Sequence, residues 1–388
     1  MKICHLINSY PTATGGMQSY CYDLADRQSK LGHDVYVYVS GVTDKSIRNK
    51  KFKVKNFKPI FHFGKATISI SLILSLVRER FDVLHIHLPF PFGFEVSLIL
   101  AKIKKIPIVA TYQCVIANFE KNYFKGFVLN IYNLLNKNLL NYLDHIVFTT
   151  EDYLRNTGTF KTKVSVIPIG VDLNRFKKRN RKSARRKLSL PFSKYIILFV
   201  GNMDTHNFHK KGVEYLLKAL PSIKDKLPNI YLNIIGKTDN NTQENINKIC
   251  SENSISNIVH MSGYVSSEDL PLYYAASDVL VLPSVSPLEA FGIVLIEALA
   301  SGTPIIGANI PGVRSVVKSS KAGFLVKPKS IQDIVSVVTR VSKVKCFDKI
   351  ARKSAEENYD WEIITKQIER VYLLVIKQKH EGVDFIKN

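Results

Sequence analysis

Twice along the chain, short runs of apolar and β-branched residues alternate with amphipathic stretches of helical length. That alternation restricts the fold more than any other feature. In the first half the runs are Lys2 to Asn8, Asp34 to Ser40, Val83 to His87, Ile106 to Gln113, His145 to Thr150 and Lys163 to Ile169. After Pro191 the pattern restarts with Tyr195 to Gly201, Ile230 to Gly236, Ile258 to Ser262, Asp278 to Pro283, Thr303 to Gly307 and Phe324 to Val326. Between the first two runs, Met17 to Leu31 reads as a helix closed by Gly32, where a left-handed cap residue belongs. Runs as continuously apolar as YIILFV and DVLVLP fit parallel strands buried on both faces. A chain of 388 residues is also too long for one comfortable core. The expected architecture is therefore α/β, with two doubly wound parallel-sheet domains facing a central cleft, where ligands bind beyond the carboxyl ends of the strands.

Composition excludes several classes. A hydrophobic share of 46% with 19 Gly and 15 Pro rules out a disordered or collagenous chain. Apolar stretches such as Ala66 to Val77 and Val96 to Ala101 end well before the roughly 18 residues of a bilayer span. The apolar start, Ile3 to Ile7, is too short for a secretory signal, so a cytoplasmic location is expected. Five cysteines without CxxC spacing read as buried reduced thiols, and no metal or redox cofactor is called for. The formal charge of +23 asks for an acidic partner. Basic runs at Lys45 to Lys58 and Lys177 to Lys187 suit anionic headgroups or nucleic acid equally on electrostatic grounds. With no nucleic-acid-binding signature present, a membrane surface is the expected partner and nucleic acid is not.

Most chemistry is concentrated between Asp278 and Val317. There a buried strand ends, a loop presents Glu289-Ala290-Phe291-Gly292, and a helix beginning near Ile293 carries Glu297. Were all eight steps helical, the two carboxylates would be rotated by roughly 80° and share no face. With Glu289 in the loop, both can point into one cleft. Helix N-terminal amides bind anions and a carboxylate accepts two hydrogen bonds from a vicinal diol, so a phosphate flanked by two sugars satisfies the arrangement.

At these residues the sequence resembles the retaining glycosyltransferases of family 4, with the two-Rossmann GT-B fold. EAFGIVLIE is similar to the family's E-x7-E signature, and EALASGTPI to the turn that follows it. VIPIGVDLNRF (Val166 to Phe176) resembles its interdomain segment, VLHIH (Val83 to His87) its DVVHxH strand, Gly15-Gly16 its first glycine turn, and FVGNMDTHNFHKKG the GxxDxxHxxKG donor loop. Tyr359-Asp360-Trp361 looks like the start of its last helix. The resemblance implies an acceptor-binding domain over 1–172, a basic linker over 173–192, a donor-binding domain over 193–358, and a C-terminal helix, 359–388, crossing back to the first domain. It further implies a nucleoside-diphosphate-sugar donor and a saccharide or lipid-linked acceptor. Glu297 would hold the ribose diol, Glu289 and the amides around Phe291, Gly292 and Ile293 the transferred sugar, and Gly263, Tyr264 and Val265 would border the base.

The residues carry part of that chemistry themselves. A departing nucleoside diphosphate gathers negative charge and needs fixed positive potential, for which Lys211, before Gly212 at a helix entry, is the candidate. Gly15 and Gly16 allow backbone amides to approach a diphosphate or acceptor closely. No metal is expected, because the lysine and a helix terminus replace the cation. Two departures from the family pattern stand out: Asn202 where many members have Arg, leaving His206, His209 or Lys210 to supply the contact, and Gln113 where a His is usual. Glutamine cannot be a base but can hydrogen-bond a sugar hydroxyl. His85 and His87 read as core or hydrogen-bonded histidines. A glycosidase would need two carboxyl groups roughly 5 Å apart, and only Glu289 is placed to approach a sugar. The alternative class is a non-catalytic sugar-nucleotide or polyanion-binding protein on the same fold. Finally, Asn118 to Leu143 mixes apolar and basic residues at helical spacing, which predicts peripheral attachment to an anionic cytoplasmic leaflet.

Overall fold

The computed structural model describes residues 1–8, 16–41, 51–63, 66–113, 132–344 and 346–381. The chain divides into two compact units: Met1–Ile169 with Trp361–Asn388, and Gly170–Asp360. In the first unit the order is β1 (Lys2–Asn8), α1 (Gly16–Lys30), β2 (Asp34–Ser40), β3 (Lys53–Phe57), the hairpin β4 (Phe61–Phe63) and β5 (Ala66–Ile68), α2 (Ile70–Arg78), β6 (Val83–Leu88), α3 (Gly93–Lys104), β7 (Ile108–Tyr112), a helical stretch 132–139, β8 (His145–Phe148), α4 (Glu151–Thr157) and β9 (Val164–Val166). The second unit runs α5 (Arg181–Lys187), β10 (Tyr195–Val200), α6 (Thr205–Lys211), α7 (Val213–Lys226), β11 (Ile230–Ile235), α8 (Asn240–Glu252), β12 (Val259–Gly263), α9 (Leu270–Ala276), β13 (Val279–Leu282), α10 (Ile293–Ala300), β14 (Ile305–Ala308), α11 (Val313–Ser320), β15 (Gly323–Val326), α12 (Ile331–Val341) and α13 (Phe347–Asn358). Helix α14 (Trp361–His380) belongs to the first unit.

Both large sheets are parallel throughout, in the orders β3-β2-β1-β6-β7-β8-β9 and β12-β11-β10-β13-β14-β15. Their inner strands are buried over most of their length, with β6 and β13 buried at every position. This is the two-faced burial that their apolar runs require. Each order reverses direction once, at β1/β6 and at β10/β13, which are the switch points of doubly wound sheets. The twelve expected strands all occur, Lys2–Asn8 and Asp34–Ser40 with the expected bounds and the other ten with an end shifted by a residue or more, and Gly32 takes the expected positive φ (+90°).

Several expectations are corrected. The run Lys45 to Lys58 is not a loose basic patch where it is described, because Lys53 to Phe57 forms edge strand β3. There Lys53 pairs with Asp34 at 2.9 Å, and Lys55 pairs with Glu79. A lysine-valine-lysine alternation has the period of a strand, which the charge count concealed. The second basic run is likewise partly structural. Within 173–192, α5 packs on α9 through Ala184, Leu190, Ala275 and Ala276. Arg185 is buried, donating to Asp278 at 2.6 Å and to the carbonyls of Ala276, Phe192 and Lys194 at 2.9–3.0 Å. The thiols are not all buried: Cys4, Cys21 and Cys250 are, whereas Cys346 is exposed on the turn before α13. Residues 42–50, 114–131 and Gly15 lie outside the described ones, and with them much of the first basic run and of Asn118 to Leu143.

In the first unit a polar layer lies between the sheet and the helices α1 and α14. His5 faces His85 in register, and His87 follows on the same face. His5 Nδ1 and His87 Nε2 lie 3.0 Å apart, His5 Nε2 donates to Gln28 at 2.7 Å, and His85 bonds Tyr372 and Thr111 at 2.5 and 2.7 Å. Among the described residues these three histidines are the group with metal-ligand spacing, within 4.8 Å. Their nitrogens are nevertheless taken up by the network, except His87 Nδ1, so the layer is a set of neutral hydrogen-bonded rings. Burial lowers His5 to about 4 and holds His85 and His87 well below the ordinary value.

Two tests follow from this packing. Arg185→Leu takes the buried guanidinium away from half-buried Asp278, which keeps Arg181 at 2.7 Å, and from the Ala276, Phe192 and Lys194 carbonyls, and should cost the second unit about 1–3 kcal/mol in urea unfolding, while the exposed neighbour change Lys182→Ala should stay within about 0.5 kcal/mol. For the histidines, the unfolded chain binds protons near pH 6.5 that the folded chain refuses until far lower. Stability is therefore complete above pH 6.5 and falls as pH drops towards 4, by up to about 1.4 kcal/mol per pH unit for each ring. Denaturation curves of the first unit that are flat between pH 7 and 5 would contradict this account of the layer.

Candidate active site

In the second unit several of the candidate side chains lie at the carboxyl edge of β10 and β13, where the strand order reverses. Gly201 follows β10, and the space a side chain would need there is filled by the Lys211 stem, whose Cδ would lie 2.8 Å from an added Cβ. Lys211 closes α6, and Gly212 then turns the chain into α7 with φ +67°. An added Cβ at Gly212 would meet the carbonyl oxygen of Pro283 at 2.2 Å, so only glycine serves at this left-handed, crowded position. The loop after β13 is tied to the same place, because Val285 N and Ser286 N both donate to the Lys210 carbonyl, at 2.8 and 3.3 Å.

These constraints bring together two residues far apart in sequence. Lys211 Nζ lies 2.8 Å from Glu289 Oε2, and each side chain is about one-fifth exposed. The sequence reading gave the two residues separate tasks, and their ion pair is visible only in the folded unit. The Glu289-Ala290 backbone is covered by Gly312 of the loop after β14, where a Cβ would meet the Ala290 carbonyl oxygen at 2.1 Å. Phe291 is buried, Gly292 is the N-cap of α10, and Ile293 is its first residue. No side chain caps that end, and of its first amides Leu295 N donates to the Gly292 carbonyl at 2.8 Å.

Glu297 is on α10, as the sequence indicated, and Oε2 accepts a 2.6 Å hydrogen bond from the Tyr274 hydroxyl. Tyr274 is completely buried, and burial first, then the Glu297 charge, holds its hydroxyl well above the ordinary value, so it remains a donor. Sequence reasoning missed Tyr274 because an aromatic on a short apolar helix reads as core, which it also is. Farther along the strand ends, Gly263 closes β12 beside open space, and Tyr264, 68% exposed, has Lys237 Nζ 4.8 Å from its ring centroid. Val265 follows, half-buried. Asn202 is exposed directly after Gly201. The structure thus gathers Lys211 with Glu289, and Glu297 with Tyr274.

Gln113 and Gly16 belong to the first unit. Gly16 opens α1 after β1. Gln113 follows β7, donates its backbone N–H to Leu88 O at 3.2 Å, and is buried with its side-chain Nε2 unpartnered. A buried amide nitrogen without a partner is costly and is a ready donor for an incoming acceptor.

Comparison with known proteins accords with this architecture. Residues 14–175 match the model of Glycosyltransferase Family 4, and residues 180–361 that of Glycosyl transferases group 1. An uncharacterized glycosyltransferase of Methanocaldococcus jannaschii is 27% identical over 97% of this chain and 99% of its own. A phosphatidyl-myo-inositol mannosyltransferase of Mycobacterium leprae is 26% identical over 92% of each chain. The crystal structure of Anabaena Alr3699/HepE in complex with UDP and glucose superposes with a TM-score of 0.74 at 20% identity, covering 95% of this chain and 98% of that one. Matched by a family model in each half, and sharing this arrangement of strands and helices, the chain belongs to the family 4 type of glycosyltransferases on the GT-B fold.

Proposed function

We propose that this glycosyltransferase moves a sugar from a nucleoside diphosphate to a saccharide or lipid-linked acceptor with retention at the anomeric carbon and without a metal ion, in cell-surface polysaccharide or glycolipid assembly at the cytoplasmic face of a membrane. The observation that carries the reading is the Lys211–Glu289 pair at the switch point, backed by the uncapped start of α10. As the glycosidic bond breaks, charge collects on the leaving diphosphate. The Lys211 ammonium and the α10 amides are fixed in advance to stabilise it, which supplies what a cation would otherwise supply. Glu289 both orients Lys211 and accepts hydrogen bonds from hydroxyls of the transferred sugar. Glu297 accepts the ribose diol, with Tyr274 holding the carboxylate in place, and the Gly263–Val265 loop borders the base.

Retention follows when the acceptor hydroxyl attacks from the face the diphosphate is leaving and passes its proton to a departing phosphate oxygen. No protein base is required, which is consistent with a glutamine at position 113. In the first unit we assign acceptor recognition, for which the unpartnered Gln113 Nε2 is a donor to a sugar hydroxyl. The glycolipid and UDP-sugar classes are supported by the mycobacterial mannosyltransferase and the Anabaena complex.

Screening sugar nucleotides by thermal shift identifies the donor, since a ligand at 100 times its Kd adds about 2.7 kcal/mol. With that donor, Lys211→Ala should lower kcat about 10²- to 10³-fold, the range for one lost fixed electrostatic group. A folded variant turning over near-normally removes Lys211 from the chemistry. Tyr274→Phe should raise donor KM about tenfold at little cost in kcat, the loss of one charge-assisted hydrogen bond. Glu297→Ala should abolish discrimination against the 2′-deoxyribose donor; retained discrimination sinks the ribose assignment. The anomeric configuration of the product, read by NMR, tests retention.

A further inference from the structure

The first unit carries a wide apolar surface that neither its core nor the catalytic reading accounts for. Right-handed crossovers put α2, α3 and the stretch 132–139 on the face of the sheet opposite α1, because these connections run along the sheet in the other direction. The three are joined to one another. Lys104 on α3 donates to the Leu76 and Val77 carbonyls of α2 at 2.7 and 2.8 Å, while Tyr132 and Asn136 donate to Glu95 on α3 at 2.6 and 2.9 Å. Helix α2 buries Leu72 and Leu76 yet exposes Ile70, Leu74 and Val77 at spacings of four and three, so it is apolar on both sides. Helix α3 exposes Ile99 and Ile103, and 132–139 exposes Leu134 and Leu135, all seven side chains being 46–72% exposed. Leu134 and Leu135 are therefore not core positions. The nearby cavity lined by Leu72, Phe90, Phe92 and Val96 holds only about 30 Å³, so the feature is a surface and not a pocket.

Charge selects the partner. The three helices contain one acid, Glu95, and it is turned inward to Tyr132 and Asn136. Around the apolar stripes stand exposed Arg78, Arg80, Lys102, Lys105 and Lys137. An apolar stripe with a predominantly basic rim, in which Lys102 is paired with Asp144 at 3.2 Å, offers the two signals that interfacial binding needs. A second copy of this chain, itself at +23, would meet the same rim with like charge. We propose that the face formed by α2, α3 and 132–139 is the surface by which the chain docks on an anionic lipid leaflet, an assignment that rests on the membrane reading above and gives it a location.

The test uses the full chain and sedimentation with phosphatidylcholine vesicles containing either no phosphatidylglycerol or about 30 mol% of it. Wild type should bind the anionic vesicles and lose binding as salt is raised. The triple variant Leu74→Gln, Ile99→Gln, Ile103→Gln should lose partitioning about tenfold or more, with thermal unfolding and nucleotide binding unchanged. Leu373→Gln with Leu374→Gln, exposed positions on α14 among charges of both signs, should bind like wild type. Wild type ignoring anionic vesicles overturns the membrane reading together with this assignment. Wild type and triple variant binding equally overturns the assignment alone. A change of molar mass in light scattering, without a change in vesicle binding, gives the face to a second copy instead.

Discussion

Parallel strands buried on both faces leave the chain few options. Each needs helices above and below to cover it, and each must return by a crossover to the same starting edge. Every carboxyl end in the sheet therefore opens on one side, where loops rather than regular structure carry the polar groups. In the second unit the reversal between β10 and β13 separates two neighbouring connections there, and they carry Lys211, at the end of α6, and Glu289, in the loop before α10. Their ion pair depends on this topology, because 78 residues of sequence separate its members.

The same sheet physics decides where charge is useful. Part of each basic run that marks the sequence is built into the fold. Lys53 and Lys55 neutralise acids beside an edge strand, and Arg185 joins a helix to two backbone turns and Asp278. Exposed Arg78, Arg80, Lys105 and Lys137 stand around apolar helices in the first unit. A count of lysines therefore overstates the electrostatic surface, whereas the absence of exposed acid on α2, α3 and 132–139 measures it better.

The polar layer of the first unit shows a similar division of labour. His5, His85 and His87 are interior residues of parallel strands, and burying them neutral requires partners on the covering helices, Gln28 on α1 and Tyr372 on α14. Helix α14 comes from the far end of the chain, so its docking supplies polar as well as apolar contacts, with Gln28 Nε2 also donating to Tyr372 at 3.3 Å. A half-satisfied layer of this kind would be worse than an apolar one, which is why the network reaches nearly every ring nitrogen.

What could be read from the linear chain was periodicity and spacing. Continuous apolar runs named the strands, Gly32 named a helix end, and the EAFGIVLIE segment put one carboxylate in a loop and another on the helix after it, because those signals arise from neighbours within a few residues. Strand β3 escaped notice because its lysines looked like a solvated run, and Tyr274 because its ring is a core residue whose hydroxyl alone has a task. The partnership of Lys211 with Glu289, the burial of Arg185, the inward turn of Glu95 and the exposure of Leu134 and Leu135 were decided by the tertiary structure. Each depends on which elements the sheet order makes neighbours, and sequence distance carries no record of that order until the strands have paired.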